Sequence, residues 1–242
     1  MSSGGSGVRN AINSYLLRLN TCMVFCVIAD GTLKNLKSMP ECDVAVFGFN
    51  GLGEVDYEKE LKGMSDKFED AVRLSKSAKC GVLCGCYTKS RGVVRKSVAV
   101  ADGGKLLGIS DMNFVLDSED YKSGAGIGVY SVAGYKIGLC IENDLLFPDA
   151  FKALSMCGCN AVVVFMEEVK NILPALIIRT YSYLYGVPVV MCAGKTAFYS
   201  EVTGEIATST LPVSCFDVSP CPRYRKVSMR TKGLYNDFSE DY

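Results

Sequence analysis

The sequence predicts an α/β fold made of two mixed β-sheets covered by helices. Short apolar runs of strand length alternate with longer segments whose apolar residues recur at helical spacing. Turn signals join several of these runs as hairpins, which a simple doubly wound parallel sheet does not contain. A length of 242 residues with 49% hydrophobic content suits one large domain with a core of ordinary size.

Taken in order, Val8, Ile12, Tyr15, Leu16 and Leu19 predict a short amphipathic helix ahead of a first strand at Met23 to Ile28. After a brief segment around Leu33 to Met39, Asp43 to Phe47 predicts a second buried strand, and Gly48, Gly51 and Gly53 mark a loop at its end. Leu61, Met64, Phe68 and Val72 predict one helix over 57–78. Gly81 to Tyr87 and Val93 to Ala101 form two strands joined by a polar turn and closed by Asp102-Gly103-Gly104. A further strand starts near Lys105. Ile127 to Val132 and Tyr135 to Ile141 make a hairpin about Gly134. A helix from Pro148 to about Cys157, a strand Ala161 to Phe165, a helix over 171–185 and a strand Val187 to Cys192 follow. Gly124, Gly126 and Gly128 lack the strand before and helix after that a phosphate-binding loop needs, so they form a loop entering a strand. Residues 1–21 are a tail and short helix, 22–235 one domain, and 236–242 an acidic tail.

Lysine plus arginine equals aspartate plus glutamate at 26 each, so no global basic field recommends a nucleic-acid partner. Arg223, Arg225, Lys226, Arg230 and Lys232 are interleaved with polar residues and followed by Asp237, Glu240 and Asp241, which suits a solvated surface. No apolar run reaches the ~20 residues needed to cross a bilayer. Twelve cysteines occur without a histidine, and many, including Cys22, Cys26, Cys84, Cys140 and Cys192, sit in apolar strand-like runs where a reduced thiol acts as a small hydrophobe. Met1 to Gly7 is a Ser/Gly stretch without the charged and apolar regions of a leader. A reducing cytoplasm is the expectation, with neither a metal nor a cofactor.

The most informative segment is Tyr135-Lys-Ile-Gly-Leu-Cys-Ile-Glu-Asn-Asp-Leu-Leu-Phe-Pro-Asp149: a buried strand, a sharp turn and a helix opened by proline. It resembles the nucleophile elbow of the nitrilase or carbon–nitrogen hydrolase superfamily, and the likeness extends from about residue 22 to 235. The resemblance implies a four-layer αββα sandwich, two mixed sheets flanked by helices. It also implies a glutamate, lysine and cysteine acting on a nitrile or amide carbon. Located by their flanks, those three positions hold Phe49 after Asp43 to Phe47, Met112 after Gly104 to Gly108, and Glu142, five residues before Phe147.

Further residues expected to line the site are Glu119, Cys140, Glu167 and Arg179. Cys140 lies two residues before Glu142. If the site stays apolar beside Phe49 and Met112, desolvation should raise the Glu142 pKa; alternatively Arg179 or another cation reaches it, or water fills an open cleft. The expectation is therefore a nitrilase-fold protein without hydrolase chemistry, acting in binding, regulation or assembly. The alternative is an atypical hydrolase of a small amide or nitrile. The resemblance implies a homodimer or higher homo-oligomer, with Phe151, Leu154, Met156, Tyr181, Tyr183 and Tyr185 at the interface or in the core. A small-molecule ligand is a second candidate partner; a membrane is not.

Overall fold

The computed structural model of the chain describes residues 22–35, 39–116 and 120–219. The expected helix over 8–19, Glu119, the basic run from Arg223 and the acidic tail lie outside the described residues.

Two mixed sheets, the first of seven strands and the second of six, stack face to face. The first contains β1 (Met23–Ile28), β2 (Val44–Phe47), β3 (Gly53–Asp56), β4 (Gly81–Ser90), β5 (Val93–Asp102), β6 (Lys105–Asp111) and β13 (Ser214–Val218), in the order β13-β1-β2-β4-β5-β6, with β3 also on β4. The β1/β2, β2/β4 and β3/β4 pairs are parallel, whereas β13/β1, β4/β5 and β5/β6 are antiparallel. The second contains β7 (Val129–Val132), β8 (Tyr135–Ile141), β9 (Ala161–Met166), β10 (Val189–Ala193), β11 (Thr196–Ser200) and β12 (Ile206–Ser209), ordered β12-β11-β10-β9-β8-β7 with a parallel β8/β9/β10 centre.

Strand alternation divides the apolar residues among three cores. Phe25, Val46, Leu83 and Val98 of the first sheet meet Ile137, Leu139, Ile141 and Phe165 of the second between the sheets. The opposite faces are covered by α1 (Tyr57–Leu61) and α2 (Lys67–Ala78) on the first sheet, and by α3 (Pro148–Met156) and α4 (Leu173–Tyr185) on the second. Phe68 and Ala71 bury against Val82 and Cys84 on one side; Phe151, Leu154 and Ile178 bury against Cys140 and Val164 on the other. The layers are helix, sheet, sheet, helix.

Three expectations are corrected. The single helix over 57–78 is two, because Gly63 takes a left-handed φ of 65° and Glu60 turns back to accept from the N–H groups of Lys67 and Phe68. Leu61 and Met64 are consequently exposed. The strands β3, β11, β12 and β13 add to those expected from the sequence; each is four or five residues long and carries polar residues. The third correction follows from β13: Cys26 faces Cys215 across the β1/β13 pair, their Cα atoms 4.2 Å apart, and the two form a disulfide. The nine other cysteines among the described residues are free thiols. No helix of the described residues is long and apolar enough to cross a membrane.

Candidate functional site

The elbow is built where β8 runs out of the inter-sheet core. Ile141 is extended, and the next residue, Glu142, has φ of 50°, a left-handed conformation uncommon for a residue with a Cβ. A 3₁₀ turn over Glu142–Leu146 follows, then Pro148 at the start of α3. Asp144 fixes the turn. Its carboxylate accepts from the backbone N–H groups of Asn113 and Phe114 at 2.9 Å each and from Ile141 N–H at 3.3 Å, tying the elbow to the chain leaving β6. Burial raises the Asp144 pKa, against the pull of those donors.

Four side chains from four segments meet beside Glu142. Lys96, on β5, places Nζ 3.6 Å from Glu142 Oε1 and 3.1 Å from Glu167 Oε2. Glu167, just past the end of β9, also accepts from the Tyr87 hydroxyl of β4. Its own backbone N–H donates to Glu142 Oε1 at 2.5 Å. The Lys96 ammonium lies 4.8 Å from the centre of the Tyr121 ring. Lys96 and Tyr87 belong to the first sheet, Glu142 and Glu167 to the second, so the cluster bridges the sandwich. The Lys96 side chain is 5% exposed, Glu142 12% and Glu167 38%, so Glu167 forms the solvent side.

The electrostatics follow from that packing. Burial alone would depress the Lys96 ammonium, yet Glu142 and then Glu167 outweigh it and hold the pKa above the ordinary lysine value. Burial pushes Glu142 upward, opposed by Lys96 and the Glu167 N–H. Tyr87 is likewise pushed up, first by burial and then by donating to a carboxylate. Lys96 stays charged, and the Tyr87 phenol resists ionisation.

The other expected residues divide. Phe49 stands at the end of β2 and is 5% exposed, its ring stacked on Tyr87 at 5.4 Å between centroids. It gets there because Gly85 lets the chain cross β4: a Cβ on Gly85 would sit 2.8 Å from Phe49 N. Met112 is fully buried, and its N–H donates to the Lys96 carbonyl at 2.8 Å, so the two are neighbours across the β5/β6 edge. Cys140 is not brought to the site: it faces α3 and α4 in the outer core, and burial pushes its thiol well above the ordinary value. Arg179 is not either; its Nε donates to Gly204 O at 2.6 Å.

Lys96 is the residue that sequence reasoning missed. Its signal was present in Val93 to Ala101, where Lys96, Val98 and Val100 share one face by alternation and that face is the inner core. A lysine on a buried face demands a partner.

No family model matches the sequence, and comparison with curated proteins finds no relative. Solved structures do match. A variant of an amidase of the nitrilase superfamily from Nesterenkonia AN1 superposes with a TM-score of 0.70 at 12% identity, covering 90% of this chain and 98% of that one. A carbon–nitrogen hydrolase from Helicobacter pylori G27 gives 0.69 at 16% identity, covering 91% and 99%. Another variant of the Nesterenkonia amidase, at 0.66 and 11% identity over 90% and 97%, carries the acetamide moiety of fluoroacetamide on its active-site cysteine. Likeness at these identities over nearly the whole of each chain establishes architecture: this chain has the αββα sandwich fold of nitrilase-superfamily amidases and carbon–nitrogen hydrolases.

Proposed function

We propose that this chain keeps the carbon–nitrogen hydrolase scaffold without amide or nitrile hydrolysis and works by assembly, as a homodimeric binding or regulatory protein. The observation that carries the reading is the closed ion cluster. Both carboxylates are spent on Lys96, whose charge is thereby satisfied at 5% exposure. A hydrolase of this class needs a nucleophile at the elbow, and a carboxylate already bound to an ammonium and a backbone N–H is a poor one. Glu142, at the left-handed turn after β8, is taken as the occupant of the nucleophile's place, and Phe49 and Met112 as the occupants of the other two, as the resemblance in sequence implies.

Assembly is favoured by the outer face of α4. Leu173, Leu176, Thr180, Tyr183 and Leu184 are exposed at spacings of three, four, three and one, forming a stripe along the helix. Arg179 is the one charged residue of α4, and its guanidinium is committed to Gly204. A solvent-facing helix with so little charge suits an interface. Antiparallel packing of α4 on a second copy sets Leu173 of one protomer against Tyr183 and Leu184 of the other, a self-complementary arrangement. Of the six interface candidates read from the sequence, Phe151 and Leu154 are core, Tyr181 and Tyr185 pack on Phe151, and only Met156 and Tyr183 are well exposed.

The second reading, an atypical hydrolase, draws on the retained elbow and on a cation and two acids gathered there; Glu142 with its raised pKa would be the general acid. One experiment separates the two. The purified protein is incubated with a panel of amides, nitriles and carbamoyl compounds, and its mass is followed by sedimentation across concentration. Dimer without turnover is the expected result. Turnover abolished in Glu142→Gln would establish the second reading, and monomer at every concentration would remove the assembly proposal.

A further inference from the structure

The Cys26–Cys215 disulfide sits on the edge of the first sheet. Among the described strands β13 pairs with β1 alone, whereas β1 is also held by β2 on its other side. Five residue pairs make the β1/β13 ladder, from Met23 opposite Val218 to Val27 opposite Ser214, with Cys26 opposite Cys215 within it. β13 also clasps the second sheet. The Phe216 ring lies 5.8 Å from that of Tyr199 on β11, the Ser214 hydroxyl donates to that of Ser209 on β12 at 2.8 Å, and Val218 is buried in the inner core. The strand thus closes one edge of the sandwich, and the crosslink that holds it joins residues 189 positions apart.

The two sulfur-bearing residues differ in access. Alternation along β13 turns Phe216 and Val218 towards the inner core and leaves Cys215 and Asp217 exposed. Cys26 is 0% exposed and stands between Phe25 and Val27, which pack in that core, so it points to the opposite face. A thiol arriving from solvent meets Cys215 first.

We propose that the Cys26–Cys215 disulfide is a reversible redox latch: a dithiol reductant opens it from the Cys215 side, and its opening frees β13 from the edge of the sandwich while the other strands stay folded. In the first step one sulfur of the reductant, its proton lost to solvent, bonds to the Cys215 sulfur; the Cys26–Cys215 bond breaks, and its electron pair leaves on Cys26, which takes up a proton. In the second, the other sulfur of the reductant attacks the first, the bond to Cys215 breaks, and Cys215 leaves as a thiol. The reductant becomes a disulfide, and the two electrons it gives up reduce the protein pair to two thiols. Two exchanges with a small-molecule disulfide run the steps backwards, since the β1/β13 register returns Cys26 and Cys215 to opposite positions.

Release is local because of where the strand lies. An edge strand with one ladder partner opens at a lower free energy than the centre of a sheet. A crosslink suppresses such opening by denying the freed segment its chain entropy. β1 keeps its ladder to β2, and the second sheet keeps its parallel β8/β9/β10 centre, when β13 lets go.

The test is hydrogen exchange with peptide mass spectrometry on the full-length protein in native buffer, with and without dithiothreitol, paired with alkylation of Cys26 and Cys215 under the same conditions. The disulfide should open without denaturant, with Cys215 alkylated ahead of Cys26. Protection of the β13 amides should fall at least about tenfold while that of β8, β9 and β10 is unchanged, and oxidised glutathione should restore it. Cys215→Ser, at an exposed position, should show the same loss without reductant and no further change with it. Cys157→Ser, which removes an exposed free thiol, should respond as the wild type does. The latch is overturned if Cys26 and Cys215 react as thiols before reduction, if the bond opens only in denaturant, if β13 stays protected after reduction, or if every strand loses protection together.

Discussion

Replacing Lys96 with methionine tests the claim that the cluster at the elbow is a closed electrostatic tie between the sheets. The substitution keeps an unbranched side chain one atom shorter and removes its charge, leaving Glu142 and Glu167 facing one another. Breaking one partner out of a buried ion pair costs about 3–5 kcal/mol, and an exposed pair costs about 0–1. Glu142 at 12% exposure belongs to the first class, whereas Glu167 at 38% is close to the second. The lower end, about 3 kcal/mol near pH 8, is therefore expected. For a domain of this size that corresponds to roughly 6–12 °C in Tm.

The loss should depend on pH. Without Lys96 the main force on Glu142 is burial, which raises its folded pKa above the unfolded value. A carboxyl raised in that way is protonated more readily in the folded state, so the stability it contributes is full below the unfolded carboxylate range and is lost as pH rises through the folded pKa. The gap between wild type and variant is thus smallest near pH 5 and widest above 7. In the wild type, the raised Lys96 pKa adds stability that is full below the unfolded lysine value and lost as strongly alkaline pH passes the folded one. The assay is urea denaturation of wild type, Lys96→Met, Glu142→Gln and the double variant between pH 5 and 9. The double variant should recover about 1.5–2 kcal/mol relative to additivity, since the amide needs no counter-charge. Parallel pH curves, a loss under about 0.5 kcal/mol, or strict additivity would refute the reasoning.

Two other outcomes follow from local geometry. Lys79 caps the C-terminus of α2 at φ 54° and ψ 37°, a left-handed position that costs a side chain roughly 1 kcal/mol, so Lys79→Gly should raise the urea midpoint by the equivalent of about 0.5–1 kcal/mol. Leu176→Glu sets a charge in the middle of the apolar stripe of α4, where Leu176 is 43% exposed and contributes little to the fold. It should leave thermal stability of the protomer nearly unchanged while shifting the sedimenting species from dimer to monomer.

The regions of the chain differ in legibility for physical reasons. β8, β9 and β10 are runs such as Ala161-Val-Val-Val-Phe165, buried on both faces, and composition alone marks them as central strands. The turn after β8 is legible because proline at the first helical position and the alternation of Ile137, Leu139 and Ile141 bracket it, whereas the significance of Glu142 within it is what the family resemblance implies. β3, with the sequence Gly-Glu-Val-Asp, and β12, Ile-Ala-Thr-Ser, are short and polar; pairing with β4 and β11 makes them strands, not their own propensity. The break between α1 and α2 was hidden because Leu61, Met64, Phe68 and Val72 keep helical spacing across a turn whose geometry depends on Gly63.

By itself the order of residues determined the layered α/β architecture and the place of the elbow, since both are written in local periodicity and turn chemistry. Which charges meet at that elbow was decided only in three dimensions. Lys96, Glu142 and Glu167 are separated by 46 and 25 positions along the chain, and what brings them within 4 Å is the stacking of one sheet on the other. The same stacking turned Cys140 outward and sent Arg179 to Gly204, because a strand offers alternate residues to opposite faces and a helix offers its partners one face only.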